Sequence, residues 1–114
     1  MKKLFIGALA VFALSSCTTS SSLYSWYDYE DATYQYSKKQ TDELKDNMFK
    51  EYEKLAKGQV GTRGVVPPGF CAEYGYMLYF AGKKEEGLKQ MKDEIKLYPE
   101  SEKYISRIIK QLEK

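Results

Sequence analysis

From Leu44 to Ala56 the apolar side chains Leu44, Met48, Tyr52, Leu55 and Ala56 return after four, four, three and one residues, which is one face of an α-helix. Thr41-Asp42-Glu43 ahead of this run offers an N-cap hydroxyl and early negative charge, and Gly58 behind it is a stop. The same periodicity predicts four more helices. A short one covers about Asp28–Lys38, with Tyr27, Tyr34 and the Asp31/Ala32 turn along one stripe. Asp28, Glu30, Asp31 and Ala32 interrupt the tyrosine alternation too often for a strand. A third helix has Pro68 in its first turn and runs to about Ala81, with Phe70, Cys71, Tyr74, Met77, Leu78 and Ala81 inward. Gly82-Lys83-Lys84 turns the chain into a fourth, which carries Leu88, Met91, Ile95 and Tyr98 and stops at Pro99. The fifth starts near Pro99-Glu100-Ser101. Its Tyr104, Ile105, Ile108, Ile109 and Leu112 make it the most cleanly amphipathic. The expectation is an all-α fold of about five helices, with Gly58–Gly64 a flexible connector closed by Val65-Val66-Pro67-Pro68-Gly69.

The N-terminus follows another logic. Lys2 and Lys3 precede an apolar stretch, Leu4–Leu14, of eleven residues, whereas a membrane-spanning helix takes roughly 20. This is the layout of a secretory signal. Leu14-Ser15-Ser16-Cys17 resembles the bacterial lipobox, which implies cleavage before Cys17 and acylation of that cysteine. The expected organisation is a signal peptide over 1–16, a lipid-bearing tether over 17–22 and one domain over 23–114. Two or more acyl chains anchor a protein stably, and a tether of this length reaches roughly 20 Å. Thr18 stands where Asp would mark inner-membrane retention, and the tether has no acidic run. The expected location is the outer membrane, facing the periplasm.

Composition narrows the chemistry. A chain of 114 residues allows one small domain. Its 18 basic residues face 16 acidic ones, and Lys2 and Lys3 leave with the signal, so no basic face for nucleic acid is expected. The absence of histidine excludes Ser-His-Asp and Cys-His catalysis and histidine-based zinc sites. With Cys17 acylated, Cys71 is left as the only thiol, with no intramolecular disulfide partner and no metal set. It reads as a small buried residue, a mixed disulfide in the oxidising periplasm being the alternative. Gly58–Gly64 lacks the Gly-Lys-Ser/Thr ending of a phosphate loop. Carboxylate-only chemistry would fall to Glu73 and Glu94, but acids on helices are usually solvated. No catalysis and no cofactor are expected.

Eleven tyrosines invite a binding reading. The cluster Tyr24–Tyr36 can pack helices, present a surface to a protein or glycan, or meet lipid headgroups, with Trp26 nine residues from Cys17. The candidate partner-binding residues are Tyr24, Trp26, Tyr27 and Tyr34, with Arg63, Pro67 and Pro68 in and beside the connector. Lys83-Lys84 and Lys110/Lys114 read as solvated faces.

From Cys71 to Pro99 the chain resembles one tetratricopeptide unit. Gly75 and Gly87 take the small positions, Tyr74, Leu78, Tyr79, Leu88, Met91 and Ile95 pack, Gly82 turns and Pro99 ends the unit. Glu94 departs from the pattern, standing where a small apolar residue meets the next unit. An offset of 44 lays Tyr27, Tyr34, Tyr36 and Leu44 on Cys71, Leu78, Phe80 and Leu88. The resemblance implies two tetratricopeptide-like hairpins and a C-terminal capping helix. Such arrays generally need three units, so an apolar face is left for a partner or a second copy of the chain.

Over residues 24–110 the layout is also similar to a family of small bacterial lipoproteins classed only as a domain of unknown function. The shared elements are the lipobox, Leu23-Tyr24-x-Trp26, the tyrosine-rich first helix, Val66-Pro67-Pro68-Gly69, Ala72-Glu73-Tyr74-Gly75-Tyr76 and Leu97-Tyr98-Pro99-Glu100-Ser101. That family tends to have Gly where this chain has Tyr27. The resemblance implies a component of a cell-envelope assembly, beside a secretion-channel-like outer-membrane lipoprotein. The expected function is a non-catalytic adaptor that docks another envelope protein. The alternative is a peptidoglycan-binding module, or regulator of a cell-wall synthase, that uses the aromatic cluster.

Overall fold

The computed structural model describes residues 22–114; the expected signal peptide, Cys17 and the expected tether before Ser22 lie outside the described residues. The described residues form five helices and no strand. They are α1 (Tyr29–Lys39), α2 (Asp42–Lys57), α3 (Phe70–Phe80), α4 (Lys84–Leu97) and α5 (Glu102–Leu112), with a 3-10 turn over Pro99–Ser101. Thr41 caps α2 as its side chain predicts, Oγ1 accepting from the Leu44 amide at 3.2 Å. At its far end the Gly58 amide closes on the Lys54 carbonyl at 2.8 Å. Pro68 lies just ahead of α3 and not in its first turn as predicted. Pro67-Pro68-Gly69-Phe70 is a type II turn ahead of α3, closed from the Phe70 amide to the Pro67 carbonyl at 3.2 Å, with Gly69 at φ +89°. Gly82, at φ +93°, ends α3 in a Schellman motif, the Lys83 amide reaching the Leu78 carbonyl at 3.0 Å.

Each hairpin is antiparallel, α1 against α2 and α3 against α4. The second is held unusually close. A Cβ on Gly75 would lie 2.5 Å from the Gly87 carbonyl oxygen, and one on Gly87 would lie 2.5 Å from the Gly75 oxygen. The two helices therefore touch backbone to backbone, which any side chain would prevent. α5 runs back along α4, parallel to α3, and the Tyr79 phenol ties its end by donating to the Leu112 carbonyl at 2.7 Å.

The core joins the hairpins through Ala32, Met48, Tyr52, Leu55, Val66, Phe70, Cys71, Tyr74 and Leu78. The predicted stripe of α2 is thus buried at Met48, Tyr52 and Leu55. On α1 the predicted stripe is buried at Ala32 alone. The inward side of this helix is Tyr29, Ala32 and Tyr36, while Tyr34 is 56% exposed beneath Lys38, whose Nζ lies 5.2 Å from the ring centroid. Tyr104 also departs from expectation: it is exposed, while Ile105 beside it on the same stripe of α5 is buried.

Buried positions reveal the internal repeat. Ala32, Met48 and Glu51 match Gly75, Met91 and Glu94, each pair separated by 43 residues, one fewer than the offset suggested by Leu44 and Leu88. The glutamates share a task. Glu51 Oε2 accepts from the Asp28 amide at 3.2 Å at the head of α1, and Glu94 Oε1 accepts from the Ala72 amide at 3.3 Å in the first turn of α3. Gly69 has no side chain to cap α3, so the opposite helix supplies a carboxylate to its positive end. The Lys54 ammonium, 2.8 Å from Glu51, and the Asp28 amide hold the Glu51 carboxyl below its usual range against the opposing effect of burial. Glu94 is buried and occupied in this way, not solvated.

Alanine normally stabilises an exposed helical glycine site by about 1 kcal/mol. Gly75→Ala and Gly87→Ala are expected to reverse that sign, each costing about 3 kcal/mol in urea unfolding.

Candidate functional site

The chain enters the domain through a clamp. Ser22 and Leu23 carbonyls accept from the Thr62 and Arg63 amides at 3.1 and 3.2 Å. The Ser25 amide donates to Gln59 Oε1 at 3.0 Å, and Gln59 Nε2 returns bonds to the Ser25 and Leu55 carbonyls at 2.8 and 2.9 Å. Val60 donates its amide to Ser25 Oγ at 3.0 Å. A Cβ on Gly61 would strike the Leu23 carbonyl, so bare backbone is needed there. The stretch predicted to be a flexible connector is therefore pinned along its length to residues 22–25.

Tyr27 is the one non-glycine residue with positive φ among the described residues, at +52°. That conformation suits glycine better than any side-chain-bearing residue. Here the phenol offsets the strain by donating to the Gly58 carbonyl. Gly58 leaves room for it, since a Cβ there would lie 2.5 Å from the phenol oxygen.

Of the predicted binding residues, Tyr24, Trp26, Tyr27 and Arg63 meet in this clamp. Tyr24 is half-buried and edge-on to Trp26 at 6.4 Å, and Trp26 stands 5.4 Å from Tyr29. Tyr27 and Tyr34 line one shallow depression with Asp28, Glu30 and Asp31. Pro68 is exposed at its turn. Pro67 is fully buried beside Val66, whose carbonyl takes a bond from the Tyr98 phenol at 2.6 Å, so it cannot meet a partner.

A second surface lies outside the predicted set. α3 and α5 leave between them a groove of about 280 Å³, floored by Ala72, Met91 and Ile105 and flanked by Glu73, Tyr76, Tyr104 and Ile108. Tyr76 and Tyr104 are 47% and 69% exposed, and Phe80, 63% exposed, extends the strip with its ring 4.8 Å from that of Tyr76. One sequence signal pointed here. α3, Phe-Cys-Ala-Glu-Tyr-Gly-Tyr-Met-Leu-Tyr-Phe, is apolar nearly all round, more than a helix with one solvated side needs.

Glu73 closes one end of the groove. Its Oε2 accepts from the Tyr29 phenol at 2.6 Å and the Tyr52 phenol at 2.9 Å, joining α1, α2 and α3 at one oxygen. It serves as a tie between hairpins, in a place where no second carboxylate is paired with it. Burial and the Glu73 charge push both phenols well above their ordinary value. Cys71 is likewise inert: burial first, then Glu94 and Asp93, push its thiol up to about 12. Among the described residues no cluster of three or more potential ligands could hold a metal, and no helix is long and apolar enough to cross a membrane.

Two measurements follow from these sites. Tyr27→Ala loses the phenol bond and keeps the strained backbone, whereas Tyr27→Gly loses the bond and relieves the strain. The glycine variant is therefore expected to be the more stable of the two by about 1 kcal/mol in thermal unfolding. Because Tyr29 and Tyr52 ionise less readily folded than unfolded, their contribution is complete below pH 10 and lost as pH rises above it. Ultraviolet titration should show these two phenols ionising only with unfolding, and Glu73→Gln should let them ionise at lower pH.

Comparison with known proteins places this architecture in a family. The family model described as Domain of unknown function (DUF4810) matches residues 23–108, and the chain belongs to that family. No curated protein and no solved structure gives a significant match.

Proposed function

We propose that this DUF4810 protein is a non-catalytic adaptor, anchored by lipid on Cys17 to the periplasmic face of the outer membrane, that docks another envelope protein in the α3–α5 groove. The observation carrying this reading is the exposed strip Tyr76, Phe80 and Tyr104 along that groove. Three large aromatic side chains in one strip give contact area with little loss of side-chain freedom, and the phenols of Tyr76 and Tyr104 suit the polar rim of an interface. The likeness to tetratricopeptide hairpins supports the same conclusion. The backbone contact at Gly75 and Gly87 is what such a hairpin requires, and stacked hairpins commonly bind extended segments on one side. The lipobox supports the anchor. Through the family resemblance, a secretion-channel-like outer-membrane lipoprotein is the first partner to test.

The test is photo-crosslinking in cells from positions 76 and 104, with position 92, on the exposed side of α4, as control. One envelope protein captured from 76 and 104, absent from 92 and lost in Cys17→Ser, is the expected result. Capture of abundant proteins equally from all three positions would refute the groove. With the partner in hand, Tyr104→Ala is expected to weaken binding about tenfold and leave folding unchanged. Sedimentation with purified sacculi should leave the protein in solution, setting this reading apart from a wall-binding module.

A further inference from the structure

We infer that the edge of the domain built from residues 23–27 and 58–63 rests on the membrane surface, with Leu23, Trp26 and Val60 at headgroup level. This rests on the reading of Cys17 as the lipid-bearing residue. Leu23, Trp26, Tyr27 and Val60 are 57%, 45%, 49% and 86% exposed. They are not scattered. The hydrogen bonds joining residues 22–25 to 59–63 fix Leu23 beside Val60, the Tyr27 phenol is tied to the Gly58 carbonyl, and Trp26 stands between Ser25 and Tyr27 with its ring against Tyr24. Leaving four large apolar side chains in water at one small edge needs a covering partner.

Two observations make that partner a bilayer. The first is chain length: Ser22, the first described residue, follows Cys17 by five residues, so this edge lies within roughly 20 Å of the acylated sulfur in any conformation of the tether. The second is charge. Leu23-Tyr24-Ser25-Trp26-Tyr27 and Gly58-Gln59-Val60-Gly61-Thr62-Arg63 contain no acidic residue, and their single charge is the exposed guanidinium of Arg63. Charged residues begin at Tyr27, with Asp28, Glu30 and Asp31 on one side and Lys50, Glu53, Lys54 and Lys57 on the other, so Tyr27 marks the polar limit of the edge and Leu23, Trp26 and Val60 its apolar part. An apolar edge with a tryptophan, tyrosines and one cation suits the headgroup region of a bilayer containing anionic lipid. The domain would then be held in one pose rather than swinging on its tether.

Trp26 is the only tryptophan, so its fluorescence reports on this edge alone. The full acylated protein is reconstituted into vesicles of phosphatidylethanolamine and phosphatidylglycerol carrying spin-labelled acyl chains. The expected result is emission shifted to shorter wavelength and quenched more by a label near the headgroup than by one deep in the chain. Leu23→Ser combined with Val60→Ser should lower that quenching while the protein still floats with the vesicles. Acylated, vesicle-bound protein whose Trp26 is open to aqueous acrylamide and unquenched by either label would overturn the contact and leave the anchor standing. A mass of the N-terminal peptide showing no acyl group would overturn both, so the two failures are distinguished.

Discussion

The contact between Gly75 and Gly87 sets the spacing on which most of the domain depends. With the backbones of α3 and α4 touching there, Glu94 is brought close enough to the head of α3 to serve as its cap. Met91 is drawn into the floor beneath α5, and Tyr79 can reach the last turn of that helix. A side chain at either glycine would separate the two helices and loosen all of these at once. The groove exists because α3 and α5 lie parallel on the same side of α4, so its width is governed by the same spacing.

Carboxylates organise the rest. Glu51 and Glu94 repeat one device in the two hairpins, each placing a negative charge at the start of its hairpin's first helix. Glu73 then joins the hairpins through two phenols. Three of the acids in this chain are therefore committed to backbone caps or interhelical ties. Only Glu51 and Glu94 of the three are buried, and for each the bond to a backbone amide accounts for its burial.

Local patterns were readable where the cause is local. The stripe Met48, Tyr52 and Leu55, the Thr41 cap and the stop at Gly58 all follow from spacing and residue type, while the small pair Gly75 and Gly87 follows from the likeness to a tetratricopeptide unit. Features that depend on distant pairing were not. Gln59 and Ser25 carry no periodic signal, yet their bonds across 34 residues turn a glycine-rich stretch into a clamp. The inward side of α1 was misread because its tyrosines occupy several sides, and only Ala32 shows which one meets α2. The repeat register slipped by one because Leu44 and Leu88 are half-buried, while the Met48/Met91 and Glu51/Glu94 pairs that define it are fully enclosed. As for the candidate surfaces, Trp26 stood out by type, whereas Tyr76 and Tyr104 lie on helices remote in sequence and became a set only when α5 folded back.

The clamp has a mechanical side. A force applied through residue 22 meets the bonds from Ser22, Leu23 and Ser25 to residues 59–63 before it reaches α1. Because these bonds are distributed along the segment and end on Gln59, which is itself fastened to Leu55 of α2, the load enters the longest helix and the core beneath it. The first turn of α1, whose Asp28 cap position makes no side-chain capping bond, is spared the pull that would otherwise unwind it from its start.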